Sequence, residues 1–410
     1  MGYSTLDLDL VIVLGTIVAT ALLARWTHLP ITALEIVAGV VLVTAWHFNL
    51  PNGTDSLLTF GSLLIVFLAG LETNLGFLRA HFQRAITIGL PAFLVPFLGL
   101  FALLHYGIGA PLIVSIIGAT ALSDTSISIV YTTLRQYDLT DLPYGRLILA
   151  ATLSVNLVED LTVTTTTFLT TPGFLFTLAV LGALAACAVL LPLLARAING
   201  PSGSAPFSNL GARTLLFSLA ILALLSTLVG VPGILFVFLL GLMFSQFVGE
   251  EFMTNIRQIG FAVFIPLYFL AVGLKVDVGF VLANLPILGG LVALGTLLKV
   301  SSLWASSRRI FGANRVGPVT VLMNTRLTSA TVILTLTLGL GMINDGWYSL
   351  FISAVVILAL GSVIVLRSFP AFRSPQSAQN FFAPSPTEAP LVPGTESPSS
   401  AIPQPRAGPP

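Results

Sequence analysis

Five charged side chains stand in long apolar runs: Asp124, Glu159, Asp160, Lys299 and Arg326. An ionisable group at the middle of a membrane span costs about 2.5–3.5 kcal/mol on insertion scales, so each is a candidate for function. Asp124 lies inside Ser123-Asp-Thr-Ser126, a polar interruption of its run. A carboxylate there, with Thr125 beside it, suits a cation or a proton held among freed backbone groups; the plainer role is a helix cap. Asn156, Glu159 and Asp160 follow in the next run. At about 100° per residue, Glu159 falls about 60° to one side of Asn156 and Asp160 about 40° to the other, so the three share one helix face. That face suits a proton and cation relay; the plainer reading is solvation near the end of a span. Asp124, Asn156 and Asp160 are the candidate ligands for Na+.

Two cations complete the set. Lys299, with Thr296 and Ser301 near it, either pairs with a carboxylate or snorkels. Arg326 lies in a second polar interruption, Asn324-Thr-Arg-Leu-Thr-Ser329. Arginine stays protonated when buried, and Asp124 is its expected partner, with an acid of the 156–160 face as the alternative. Lys299 and Arg326 are thus the candidate counter-charges. Glu35, Glu72 and Lys275 lie near the ends of apolar runs and read as structural or gating charges. The Thr-rich stretch Thr162–Thr167 reads as a polar stripe bonded to its own helix. The single cysteine, Cys187, excludes a disulfide framework, and the four His have no metal-ligand spacing.

The elements that hold these residues must be membrane spans. Of 410 residues, 56% are hydrophobic and 8% charged, a composition that excludes a cytosolic enzyme or a nucleic-acid binder. A span needs roughly 17–25 mostly apolar residues. Thirteen such runs are expected, near 8–25, 31–48, 56–78, 84–106, 111–135, 143–169, 173–196, 213–229, 231–249, 255–276, 283–307, 315–342 and 346–368. Fourteen of the 17 basic residues fall after odd-numbered runs, and none in the loops after even-numbered ones. That asymmetry puts the N-terminus outside and the C-terminus in the cytoplasm. The acidic start, Met1 to Asp9, lacks the basic region of a signal peptide. Residues 374–410 hold ten prolines and are expected to be a disordered tail.

An internal repeat is visible. Phe67-Leu-Ala-Gly-Leu-Glu-Thr-Asn-Leu75 closes the third run and Phe269-Leu-Ala-Val-Gly-Leu-Lys-Val-Asp-Val278 the tenth. These runs have opposite directions, as do the two interrupted ones, the fifth and twelfth. Interrupted helices in matching places of inverted halves point to a site at the midplane.

Six motifs in order carry a family resemblance: Pro30 with Glu35-Ile-Val-Ala-Gly39, Phe67 to Glu72, Ala121 to Val130, Gly145-Arg-Leu-Ile-Leu-Ala-Ala151, Phe264-Ile-Pro266 to Gly273, and Leu322 to Ala330. Over most of residues 10–368 the chain resembles the monovalent cation:proton antiporter superfamily, in its thirteen-span sodium/proton antiporter branch. The resemblance implies an all-α membrane protein of about 13 transmembrane helices, with inverted-topology repeats and two broken helices crossing at the midplane. It implies core helices at about 84–169 and 283–368, dimerisation or scaffold helices at about 8–78 and 213–276, and a linker helix at about 173–196; the proline-rich composition sets off a disordered cytoplasmic tail at 369–410. It aligns Asn156 with the family's essential aspartate, Val155 with that residue's partner, and Lys299 with the core lysine. Asp124 stands where relatives have Thr, and Arg326 where they have Gly.

An amide ligates a cation but takes up no proton near neutral pH, so either the titrating carboxylate has moved, to Asp160 or Asp124, or the protein no longer exchanges protons. The expected activity is exchange of a monovalent cation, Na+ first, for H+ by alternating access, in a homodimer of the plasma membrane. It needs no cofactor, nucleic acid or enzymatic step. The alternatives are an anion or small organic solute on the same fold, favoured by Arg326, and a non-transporting sensor or scaffold.

Overall fold

The computed structural model describes residues 5–48, 55–71, 75–140, 142–170 and 250–382, with the single positions 182, 237 and 241. The expected span 213–229, almost all of 173–196 and of 231–249, Glu72, Cys187 and residues 383–410 lie outside the described residues. The described chain is helical, without a strand among those residues. Before residue 171 it forms α1 (Thr5–Thr27), α2 (Ile31–Trp46), α3 (Asp55–Leu71), α4 (Leu75–Ala102), α5 (Leu112–Ala121), α6 (Ile127–Gln136) and α7 (Pro143–Thr170). After residue 249 it forms α8 (Glu250–Ile259), α9 (Ile265–Leu274), α10 (Val278–Ala283), α11 (Leu285–Met323), α12 (Thr328–Gly339), α13 (Asp345–Ser368) and α14 (Pro375–Phe382). Six described segments are long and apolar enough to cross a membrane: Leu8–Thr27, Phe82–Gly107, Pro143–Thr167, Thr254–Leu274, Leu285–Gly339 and Asp345–Ser368.

Local sequence explains the boundaries. Pro30 and Pro111 stand just before the first turns of α2 and α5, where their missing N–H is no loss. Asn344 caps α13 by accepting from the Trp347 N–H at 3.0 Å, and Asp277 caps α10 by accepting from Phe280 at 3.0 Å. The fifth apolar run is interrupted where Ser123 to Ser126 compete for the backbone, so α5 and α6 are two half-helices of one span. The twelfth is split likewise at residues 324–327. Between the eleventh and twelfth runs no loop intervenes: Gly312 alone breaks α11, at φ 78 and ψ 163, a conformation open essentially to glycine.

Two close backbone approaches order the helices near α3. A Cβ on Gly39 of α2 would lie 2.1 Å from the Leu270 carbonyl oxygen of α9, and one on Gly273 would lie 2.0 Å from the Ile36 carbonyl oxygen. A Cβ on Gly241 would lie 2.1 Å from the Phe67 carbonyl oxygen of α3 and 3.1 Å from Gly70 Cα. Elsewhere α4 packs along both α7 and α11.

The segment after α13 corrects one expectation. Residues 370–382 fold back as a short 3₁₀ turn, Pro370–Phe372, and α14. Phe372, Ala378 and Phe382 are buried in one cluster with Leu134, Leu139, Tyr144 and Phe311. Tyr137 donates to the Phe372 carbonyl at 2.8 Å, and Arg315 Nε to the Phe381 carbonyl at 2.8 Å. The polar, proline-rich composition of the tail as a whole hides this helix, whose Ala378 and Phe382 are spaced i, i+4 on one face.

Candidate ion site at the crossing of two broken helices

The two interruptions lie against each other. Ser126 N–H donates to the Thr325 carbonyl at 2.8 Å, and Thr125 Oγ1 donates to the Met323 carbonyl at 3.1 Å. Thr328 Oγ1 is 2.8 Å from Ser126 Oγ and 2.6 Å from Ser128 Oγ. Backbone groups freed by each break are thus partly satisfied by the other, which lets irregular chain persist inside an apolar bundle. Thr125, a candidate ion ligand by sequence, uses its hydroxyl proton in this seam.

Asp124 and Lys299, both 0% exposed, serve half-helix ends. Asp124 Oδ2 accepts from the Ala330 N–H, in the first turn of α12, at 3.3 Å. The cap expected of this residue is therefore made on the other broken helix. Lys299 Nζ donates to the Ser123 carbonyl at 2.6 Å and to the Asp124 carbonyl, just beyond the C-terminal end of α5. A carboxylate at a helix start and an ammonium at a helix end each match the local dipole. Lys299 neither snorkels nor forms a direct ion pair; its partners are carbonyl oxygens.

Arg326 also departs from expectation. Its Nη2 donates to the Gly295 carbonyl at 2.6 Å and to Asn324 Oδ1 at 3.2 Å, while Nε and Nη1 are buried without a partner. Asn324 Nδ2 continues the chain to Ser362 Oγ at 2.9 Å. The expected Asp124–Arg326 ion pair is not formed. The guanidinium turns toward α11, where Gly295 leaves room for it: a Cβ there would lie 2.9 Å from Arg326 Nη1.

The acids of α7 converge on the crossing. Glu159 is 0% and Asp160 4% exposed, which removes the reading that they are solvated at a span end. Glu159 lies within electrostatic reach of both Asp124 and Asp160. Asp124 Oδ1 and both Glu159 oxygens are buried without a hydrogen-bond partner. Asn156 and Asp160 instead line a cavity that also touches Ser128, Thr328 and Ser329 from the broken helices. Its opposite wall comes from α2, α3 and α9, through Thr32, Ile65 and Phe269 among others. Of the three expected Na+ ligands, Asn156 and Asp160 border this cavity and Asp124 does not. The oxygen donors Ser128, Thr328 and Ser329 were not singled out as ligands from the sequence, although their place within or beside the two interruptions was the available signal.

Two other expectations fall near the site. Glu35 is buried on α2 with both carboxyl oxygens unpartnered, one turn beyond Thr32 of the cavity wall. Thr162, Thr166 and Thr167 bond to helix carbonyls four residues back, at 2.7, 2.7 and 2.9 Å, as a polar stripe should. Among the described residues no group of three His, Cys, Asp or Glu suits a metal ion.

Known proteins share this architecture. The chain is 12% identical to the sodium proton antiporter MjNhaP1 of Methanocaldococcus jannaschii, with a TM-score of 0.62 over 92% of this chain and all of that one. It is 25% identical over 393 residues to "Probable Na(+)/H(+) antiporter 3" of the same organism, covering 90% of this chain and 98% of that protein. To the Na(+)/H(+) antiporter of Enterococcus hirae it is 26% identical over 369 residues, covering 85% and 93%. The fold is thus matched in a solved structure, and nearly the whole sequence in two relatives. The model of the transmembrane sodium/hydrogen exchanger family spans residues 11–369, and the chain belongs to that family.

Proposed function

We propose that this chain is a secondary antiporter that exchanges a monovalent cation, Na+ first, for H+ by alternating access. The observation that carries the reading is the cavity ending on Asn156 and Asp160 at the crossing of the two broken helices. An amide oxygen, a carboxylate and the hydroxyls of Ser128, Thr328 and Ser329 are hard oxygen donors of the kind that suit an alkali cation. Asp160 would take either the cation or, with its neighbours, respond to a proton. The relatives named as Na+/H+ antiporters support the same exchange. Arg326 does not border the cavity, so an anionic substrate gains nothing from it.

The reading includes thirteen spans in two inverted halves. Its support is the paired glycine contacts: α2 meets α9 at Gly39 and Gly273, and the helix of Gly241 meets α3 beside Gly70, as exchange of equivalent helices between halves would require. Helices at about 84–169 and 283–368 form the moving core, helices at about 8–78 and 213–276 the scaffold of a homodimer, and 173–196 the linker. The N-terminus lies outside and the C-terminus in the cytoplasm of a plasma membrane.

The test is proton flux into liposomes holding the purified chain, started by gradients of Na+, Li+ and K+. Cation-driven proton movement that disappears in Asp160→Asn, with the melting temperature unchanged, is expected. Undiminished flux in that variant would remove Asp160 from the site.

A further inference from the structure

Three hydrogen bonds join the α9 region to α12 and α13 beyond one end of the cavity. Tyr268 of α9 donates to Thr335 Oγ1 of α12 at 3.2 Å. Tyr348 of α13 donates to the Val272 carbonyl of α9 at 3.0 Å. The Asp277 N–H, just after α9, donates to Ser349 Oγ of α13 at 2.8 Å. Both tyrosines and Ser349 are at most 1% exposed.

The places of these residues along their helices order the bonds. Val332 is the last residue of α12 to line the cavity, and Thr335 follows it by about one turn. Val272 lies about one turn beyond Tyr268 on α9, and Asp277 lies farther on. The bonds therefore form a ladder that starts where the cavity stops. Tyr348 and Ser349 stand at the start of α13 and Arg367 near its end, about 27 Å away along the helix. The ladder and the bonds from Arg367 to the Thr27 and His28 carbonyls thus occupy opposite ends of the bundle. Thr32, in the first turn of α2, carries the cavity toward the Arg367 end.

Two of the bonded groups are backbone left over where α9 gives way to α10. The Val272 carbonyl belongs to the last turn of α9, and Asp277 is the residue that caps α10. Side chains of α13 satisfy both. A slide of α12 and α13 past α9 would strip these groups of their partners unless water entered from that end.

We propose that the three bonds seal the end of the cavity away from Arg367, and that Tyr268 and Tyr348 are positioning residues whose hydroxyls must let go before the ion site opens on that side. The inference rests on the antiporter reading above. It places the seal on neutral hydroxyls and backbone groups, apart from the five buried charges. Each such bond shifts the balance between the two open states by a factor of roughly two to ten.

The test is thiol labelling of the full chain in sealed vesicles, with Cys187→Ser and Val332→Cys together as the parent. In the proposed orientation the parent reacts with a membrane-impermeant reagent faster in inside-out vesicles. Tyr268→Phe with Tyr348→Phe keeps both rings and removes both donors. Labelling from the sealed side should then rise about tenfold, while the inside-out rate falls. Ser349→Ala removes the last bond alone and should move both rates in the same directions by about twofold, which covers poor folding of the double variant. A merely structural role for the tyrosines would raise both rates alike. Equal rises, or no rise from the sealed side, overturn the proposal. Proton flux driven by Na+, Li+ and K+ is recorded with the Cys187→Ser chain in liposomes. Flux with unaltered sidedness of labelling overturns the seal alone. Absence of flux with all three cations defeats the antiporter reading and this inference with it.

Discussion

Asp124 and Lys299 share one break but use different parts of it. The aspartate carboxylate takes a donor from α12, and the lysine ammonium takes the carbonyls of residues 123 and 124. Asparagine caps helix starts about as well as aspartate, so Asp124→Asn should hold its melting temperature in detergent. Asp124→Ala should lose about 0.5–2 kcal/mol, and both should lose cation-driven proton movement. Equal destabilisation in the two variants would mean that the charge, not the cap, supports the crossing. Lys299→Met would leave two buried carbonyls without their donor and should cost about 1–3 kcal/mol, read from the same thermal melts. The convergence of five buried charges was legible in the sequence, because mid-span charges have few tolerable surroundings. Their pairing was not. Depth along a helix says nothing about the direction of a long side chain, and the sequence gives no measure of how strongly freed carbonyls compete with carboxylates for a cation. Lys299 therefore went to the backbone, and Arg326 to Gly295 and Asn324.

At the scale of elements, the 370–382 segment with α14 fastens the end of α6 and the start of the half-helix after Gly312. Arg315 stands three residues beyond Gly312, at the start of the half-helix that leads to the second break, and Tyr137 caps the C-terminal end of α6. Both bond to carbonyls of the 370–382 segment, and Arg315 also stacks on Tyr144, 4.8 Å from its ring centroid. Phe382 is 2% exposed, so Phe382→Ala should cost about 3–5 kcal/mol and lower the melting temperature visibly. Ending the chain at Phe369 should do at least as much. An unchanged melt in both would show that α14 rests on the core without supporting it. The broken helices were legible because polar clusters inside apolar runs leave few other structures. The docked helix was not, since eight residues with two anchors are a weak signal inside a segment whose prolines and serines dominate every window. The single-residue division of α11 at Gly312 was hidden for a related reason: the charges Arg308, Arg309 and Arg315 read as a loop, although only one backbone conformation had to change. Close helix contact makes a sharper demand. Gly273→Ala would place a methyl 2.0 Å from a carbonyl oxygen and should cost about 1–3 kcal/mol or more, or block folding.

Over the whole molecule, the cavity lies between α2, α3 and α9 on one side and α6, α7 and α12 on the other, the groups that the alternating access proposed above would move past each other. Thr32 stands on the α2 wall and Ser128 on the α6 wall, both half-buried. The same side of the bundle carries the turn after α1, where Arg367 of α13 donates to the carbonyls of Thr27, at 2.7 Å, and of His28. That contact joins α13 to the turn between α1 and α2, and in the proposed division into core and scaffold it must open when α13 travels with the core. In the orientation proposed above this end faces the cytoplasm, which predicts the side from which the cavity is reached. With Cys187 replaced by Ser, Thr32→Cys and Ser128→Cys should react with a membrane-impermeant thiol reagent in inside-out vesicles and resist it in right-side-out ones. Na+ bound at Asn156 and Asp160 should slow the reaction at Ser128→Cys, beside the site, more than at Thr32→Cys, nearer the mouth. Arg367→Gln removes the contact between core and scaffold, so it should lower the inside-out labelling rate by shifting chains toward the opposite state. The size of that shift measures the differential stability that the contact gives one state over the other. Labelling of both cysteines only from the outside would reverse the orientation and place the basic loops beyond the membrane.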